Sequence, residues 1–158
     1  LHRLIRRQRQ MCIRDSKDAV FSSGMMGKGI AIEPEDDKIF APIDGEITVA
    51  YATKHAYGLK SSDGVEVLIH IGIDTVNLDG KGFTSQVTQG QQVHKGDLLG
   101  TFDKQVIVDA GYPVTTMVIV TNTNDFSDVA LDTTYGNTVQ SSDVIMTAVP
   151  KISTTTEA

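Results

Sequence analysis

VEVLIHIGIDTV, residues 65–76, reads as a β-strand with one buried face. Strand alternation sends Val65, Val67, Ile69, Ile71 and Ile73 to one side and Glu66, Leu68, His70, Gly72 and Asp74 to the other. Five branched side chains claim the core. His70 is therefore expected to project from the opposite face, held on a strand rather than a loop, with Gly72 leaving room above the backbone for a bulky group to approach the imidazole.

Around this segment, short β-branched runs are set apart by glycine, asparagine and aspartate clusters. They are KIFAPIDGEITVAYAT (38–53), YGLKSSDGVEVLIHIGI (57–73), HKGDLLGTF (94–102), PVTTMVIVT (113–121) and SSDVIMTAV (141–149). The pattern predicts an all-β chain. Asp44-Gly45 and Asp63-Gly64 are hairpin-type turn signals, because a tight turn matched to strand twist needs a residue that tolerates positive φ. Antiparallel pairing follows. No segment carries a long stripe of helical period, and KQVIVDAG (104–111) predicts one short helix ending at Gly111.

The chain has 158 residues, 40% of them hydrophobic, which suits one globular domain with its own core. No apolar run approaches the ~20 residues needed to cross a bilayer, so direct membrane insertion is not expected. All five arginines lie in the first 14 residues, and from Lys17 onward nine lysines face nineteen acidic residues. That balance offers no basic footprint to a nucleic-acid backbone. Cys12 is the only cysteine, so no intrachain disulfide can form and a reducing, cytoplasmic setting is favoured. The arm LHRLIRRQRQMCIRDS (1–16) lacks the apolar region and small-residue cleavage site of a secretory signal. Its end, MCIRDS, resembles an in-frame translation of a transposon end used in sequencing libraries. Residues 1–16 are accordingly expected to be an artefactual or disordered arm, 17–150 the functional domain, and 151–158 a frayed polar tail.

His55, in TKHAYGL (53–59), precedes the Asp63-Gly64 turn, so an antiparallel return can bring its imidazole to that of His70. Thr53 lies two residues before His55 and is expected to share its strand face, where the hydroxyl can bond one ring nitrogen and fix the direction of the other. A lone strand histidine commonly titrates without acting, and His70 by itself leaves its chemistry open. A pair is more informative. A neutral imidazole nitrogen attacks phosphorus without prior deprotonation, and a neighbouring imidazole, protonated or donating N–H, balances charge on the transferring oxygens. There is no P-loop, no kinase glycine loop with its lysine and no carboxylate cluster for magnesium. A protein phosphodonor makes those parts unnecessary.

GVEVLIHIGIDTV (64–76) resembles the phosphorylation signature of the glucose-family enzyme IIA (EIIA) domains of the bacterial phosphoenolpyruvate-dependent sugar phosphotransferase system. The resemblance extends over most of residues 19–149 through GKGIAI (27–32), IFAPIDGEI (39–47), TKHAYGL, GFTSQVTQGQQVHKGDLL (82–99) and PVTTMVIVTNT (113–123), in the family's order. It implies an antiparallel β-sandwich, the duplicated hybrid motif of glucose-permease IIA, with residues 17–150 as an EIIA phosphocarrier domain. By the same resemblance His70 accepts phosphoryl from phospho-HPr and hands it to a cysteine of a sugar-specific IIB domain. His55 stabilises the transferring group, Thr53 orients His55, the Gly72 carbonyl receives the other ring nitrogen of His70, and Asp74 is a nearby acid. Gly27 and Gly29 shape a loop beside the site, while Met25, Met26, Ile30 and Leu68 form an apolar rim for partners. Lys28 stands in the middle of GKG where the best-known members carry aspartate, exchanging an acid for a base at that contact. No cofactor or metal is implied. Domains of this type also occur fused to IIB and IIC segments, so membrane association is expected only through a fused or docked IIBC transporter.

Other readings use the same residues differently. A regulatory module would expose one surface whose phosphorylation state controls partners without onward transfer. A zinc peptidase on a related β-roll would use His70 and His55 as ligands, but needs a third ligand and a base, and VNLDG (76–80) follows where a further H-x-H is expected. GQQVHKGDLL (90–99) resembles the hairpin of biotin and lipoate carriers, but no Met-Lys or Asp-Lys pair occupies a suitable turn. His94 and His2 fall outside the site on every reading.

Overall fold

The structure is a computed structural model that describes residues 2–4, 11–14, 28–34, 36–131, 138–139 and 146–150. Among these residues the chain runs through β1 (His2–Leu4), β2 (Met11–Arg14), β3 (Lys28–Glu33), β4 (Lys38–Phe40), β5 (Gly45–Ala50), β6 (Ala56–Lys60) and β7 (Glu66–His70). It continues through β8 (Phe83–Ser85), β9 (Gln92–Val93), β10 (Leu98–Phe102), helix α1 (Lys104–Asp109), β11 (Thr116–Val120), β12 (Phe126–Leu131), β13 (Thr138–Val139) and β14 (Met146–Pro150). An eight-stranded sheet has the order β13-β2-β3-β11-β7-β6-β5-β9, and three-stranded sheets have the orders β4-β10-β8 and β1-β14-β12. Its strand ladders are antiparallel, as turn chemistry predicts.

One core fills the space between the large sheet and the β4-β10-β8 sheet. Ile30 and Ile32 from β3, Ile47 from β5, Leu59 from β6, Val67 and Ile69 from β7 and Val118 and Val120 from β11 meet Ile39, Phe83, Leu99 and Phe102. This is the antiparallel β-sandwich the resemblance implies, and its strands are the all-β content the repeated β-branched runs predict. Removing their apolar area from water drives the two sheets together. Among the described residues helix is confined to short pieces. The Asp103 side chain caps α1 by accepting from the Gln105 N–H, and Gly111 follows its end at φ 86°.

Of three local expectations, one holds and two need correction. Asp63-Gly64 does close the β6–β7 hairpin, with Gly64 at φ 88° and Ser61 and Val65 joined across it. Asp44-Gly45 does not make a hairpin. It lies between β4, which pairs in the small sheet, and β5, which pairs in the large one. Glycine at 45 allows close approach to the Lys60 carbonyl instead. The alternation of residues 65–73 also breaks after β7. Val65, Val67, Ile69 and Ile71 enter the main core, whereas Ile73 joins a separate buried group with Ala31, Met117 and Ile119. The positive φ of Gly72, 73°, turns the chain across the sheet before Ile73.

The basic arm contributes backbone to two sheets. β1 pairs with β14, and β2 lies between β13 and β3 with Ile13 opposite Ile32. Residues 151–158 lie outside the described set. No helix among the described residues is long and apolar enough to cross a membrane.

Candidate functional site: a histidine pair

His70 is the last residue of β7, flanked by Ala56 of β6 on one side and Met117 of β11 on the other. The ladder runs one step further, because the Ile71 N–H donates to the His55 carbonyl at 2.7 Å. That bond draws the start of β6 to the end of β7 and brings the two imidazoles together. Their ring centroids are 4.9 Å apart and their planes are nearly perpendicular, at 79°. His70 is half-buried, and His55 is buried.

Each ring is held at Nδ1. His70 Nδ1 lies 2.7 Å from the Gly72 carbonyl oxygen. A carbonyl only accepts, so this nitrogen carries the hydrogen and the lone pair of the neutral ring is on Nε2. His55 Nδ1 lies 2.5 Å from the Thr53 hydroxyl. The contact is made by a turn and not by a shared strand face. Lys54, between the two, sits at φ 58°, and its N–H donates to the Tyr51 carbonyl at 2.8 Å. That left-handed residue folds Thr53 back onto the ring. The Tyr51 ring packs against His55 at 5.5 Å.

Burial, and after it the charge of His70, push the His55 imidazole down from 6.5 to about 4. His55 is therefore neutral at pH 7, and of the two electrostatic roles open to it, N–H donation is the one its environment favours. The Thr53 hydroxyl can donate to Nδ1, which puts the ring hydrogen on Nε2.

Gly72 is buried and closely packed. A Cβ there would collide with the Thr75 side chain and lie 2.8 Å from the Pro113 carbonyl oxygen. The open space expected above it is absent; the residue serves the left-handed turn that aims its carbonyl at His70. Asp74 is exposed at φ 61°, and its side chain makes no cap hydrogen bond to the short 3₁₀ turn at Thr75–Leu78. Leu68, half-buried, shares the face of His70. Ile30 does not belong to an outer rim: it is buried in the main core, because β3 directs Ile30 and Ile32 inward together. Gly29 lies within β3 and not in a loop, and Lys28 opens β3 with its backbone opposite Val120. Met25, Met26 and Gly27 lie outside the described residues.

The sequence reading missed the second buried group. Met117 stands opposite His70 and Ile119 opposite Leu68, so both occupy the face of the site. TMVIV (116–120) is buried at every position. An uninterrupted apolar run of strand length is the signal of a strand covered on both faces, and it was legible there. Tyr51 and Val76, next in chain to the turn and the loop of the site, are exposed at 46% and 49%. No group of three or more His, Cys, Asp and Glu among the described residues is placed to hold a metal ion, so the third ligand of a zinc site is not supplied by them.

Residues 9–126 match the family described as the phosphoenolpyruvate-dependent sugar phosphotransferase system, EIIA 1. The chain is 53% identical over 119 residues to the PTS system beta-glucoside-specific EIIBCA component of Halalkalibacterium halodurans, covering 75% of this chain and 19% of that protein. It thus spans about a fifth of such longer relatives. It is 42% identical over 112 residues to the PTS system glucose-specific EIIA component of Bacillus cereus, covering 71% of this chain and 68% of that one. Among solved structures, glucose permease IIA from Mycoplasma capricolum superposes with a TM-score of 0.81 at 35% identity, over 92% of this chain and 94% of that chain. With its sandwich and its matched residues together, the chain belongs to the EIIA 1 family of the phosphoenolpyruvate-dependent sugar phosphotransferase system.

Proposed function

We propose that this chain is a phosphohistidine carrier: His70 accepts a phosphoryl group from phospho-HPr and passes it to a cysteine of a sugar-specific IIB domain. The observation that carries the reading is the Gly72 carbonyl on His70 Nδ1 at 2.7 Å, which leaves Nε2 as the nucleophilic nitrogen of a neutral ring. In the first step the Nε2–P bond forms as the donor's N–P bond breaks, and the donor imidazole leaves neutral. In the second a thiolate attacks phosphorus, an S–P bond forms, and His70 departs as neutral imidazole. Neither step takes up or releases a net proton.

His55 stabilises the transferring group as a neutral N–H donor. Buried and beside His70, it resists protonation, while the Thr53 hydroxyl on Nδ1 directs Nε2–H outward toward the phosphoryl oxygens. Asp74, exposed two residues beyond Gly72, is by resemblance the acidic group near an incoming basic donor. Leu68 belongs to the partner face, and so do Met25, Met26 and Lys28 by resemblance. Residues 17–150 form the carrier domain, which acts in the cytoplasm. The relatives named EIIBCA support an acceptor on the same chain or docked to it at the membrane.

The test is a reconstituted relay with phosphoenolpyruvate, enzyme I, HPr and a IIB domain. Label is expected to pass through this chain to the IIB cysteine, and His70→Ala is expected to block both arrival and departure. Transfer that proceeds through His70→Ala refutes the assignment.

A further inference from the structure

Thr75 is a polar residue with no solvent exposure, and the relay as described makes no use of it. Both branches of its side chain reach back over the segment that follows His70. The hydroxyl donates to the Ile71 carbonyl at 2.5 Å, four residues earlier. The methyl lies against Gly72 so closely that a Cβ at that position would collide with it. The arch between these anchors is pinned on both flanks. The Ile71 N–H donates to His55 at 2.7 Å, and the Ile73 N–H to Pro113 at 3.2 Å. At its apex stands the carbonyl that receives His70 Nδ1.

From this arrangement we infer that Thr75 is a positioning residue, whose hydroxyl holds the Ile71–Gly72 arch so that the Gly72 carbonyl keeps the His70 hydrogen on Nδ1. The inference rests on the carrier reading for its functional consequence, but not for its structural one. Two routes connect Thr75 to the ring. Fixing the Ile71 carbonyl sets the plane of the Ile71–Gly72 peptide, and the methyl against Gly72 limits rotation into the next peptide, whose oxygen faces the imidazole. With the hydroxyl gone, the Gly72 carbonyl samples other directions and the ring exchanges between its two N–H forms. Only the Nδ1–H form presents a lone pair at Nε2. Packing alone would be served as well by valine, which has the same shape, so a hydroxyl here points to the hydrogen bond.

The experiment compares Thr75→Val with Thr75→Ser in the full chain. Nitrogen NMR of the unphosphorylated protein, with no donor present, reads which ring nitrogen of His70 carries hydrogen. Thr75→Val is expected to raise the Nε2–H form and to slow the maximal rate of phosphorylation by phospho-HPr about tenfold, the effect of one lost buried hydrogen bond. The donor KM is expected to change by less than about twofold, because a wholly buried side chain touches no partner. Thr75→Ser, which keeps the hydroxyl, is expected to recover the Nδ1–H form. A folded Thr75→Val with the unsubstituted tautomer and rate overturns the proposal, and so do equal effects of the two variants. Should Thr75→Val not fold, the unsubstituted protein still decides: a slowly exchanging Thr75 hydroxyl proton supports the arch, and a rapidly exchanging one overturns it. If His70 accepts no phosphoryl group at all, the carrier reading fails while the tautomer measurement still stands.

Discussion

Substituting His55 by Gln is expected to flatten the acid limb of the protein's stability. Burial first, and the charge of His70 second, hold the His55 imidazole at about 4 in the folded chain, against 6.5 in a free one. Between those values the unfolded chain binds a proton that the folded chain does not. Stability therefore falls as pH drops from about 6.5 toward 4, and His55 adds no slope above that window. The full displacement is worth about 3 kcal/mol at about 1.4 kcal/mol per pH unit. Urea unfolding followed by circular dichroism at about pH 7, 6, 5 and 4 measures the loss. His55→Gln should lose about 2–3 kcal/mol less than the unsubstituted chain across this range, provided the amide keeps the Thr53 contact. Equal pH slopes in the two proteins, or a His55 that titrates at 6.5 by NMR, refute the argument that this ring is kept neutral by its site.

Further outcomes follow from the same contacts. In His70→Gln the His55 titration should move up from about 4 yet stay below 6.5, because the neighbouring charge is removed and the larger cause, burial, remains; NMR titration reads it. Thr53→Val removes the 2.5 Å contact with His55 Nδ1 and should slow phosphoryl transfer about tenfold at unchanged fold stability within about 1 kcal/mol; rapid-quench transfer from phospho-HPr measures it. Gly72→Ala must place a Cβ on the Thr75 side chain and the Pro113 carbonyl while holding φ 73°, and should cost at least about 2 kcal/mol in urea unfolding.

Much of this architecture was legible in residues 65–71, where branched and polar side chains alternate and where Asp63-Gly64 supplies a turn of the right chemistry. The hairpin then carries His55 to His70 by pairing alone. What escaped the reading lies where strand periodicity stops. Lys54 and Asp74 adopt left-handed backbone without being glycine, so neither announces the turn it makes. Gly72 was legible as a special position, but a glycine required for close packing and one that leaves a void look alike in sequence. Ile30 illustrates a different limit. Alternation in GKGIAI (27–32) offers Ile30 and Ala31 to opposite faces, and only the pairing with β11 decides which faces the core. Thr75 lies within the signature, yet a threonine beside a 3₁₀ turn carries no local mark of a side chain that reaches back to residue 71.

The central claim is that one imidazole nitrogen of this chain becomes a phosphoramidate. Phosphorus and nitrogen NMR on the chain after incubation with phosphoenolpyruvate, enzyme I and HPr tests it most directly. The account predicts one acid-labile, alkali-stable phosphoryl group on Nε2 of His70, absent from His70→Ala and still formed, more slowly, by His55→Gln. Phosphate on Nδ1, on another residue, or on His70→Ala would contradict it.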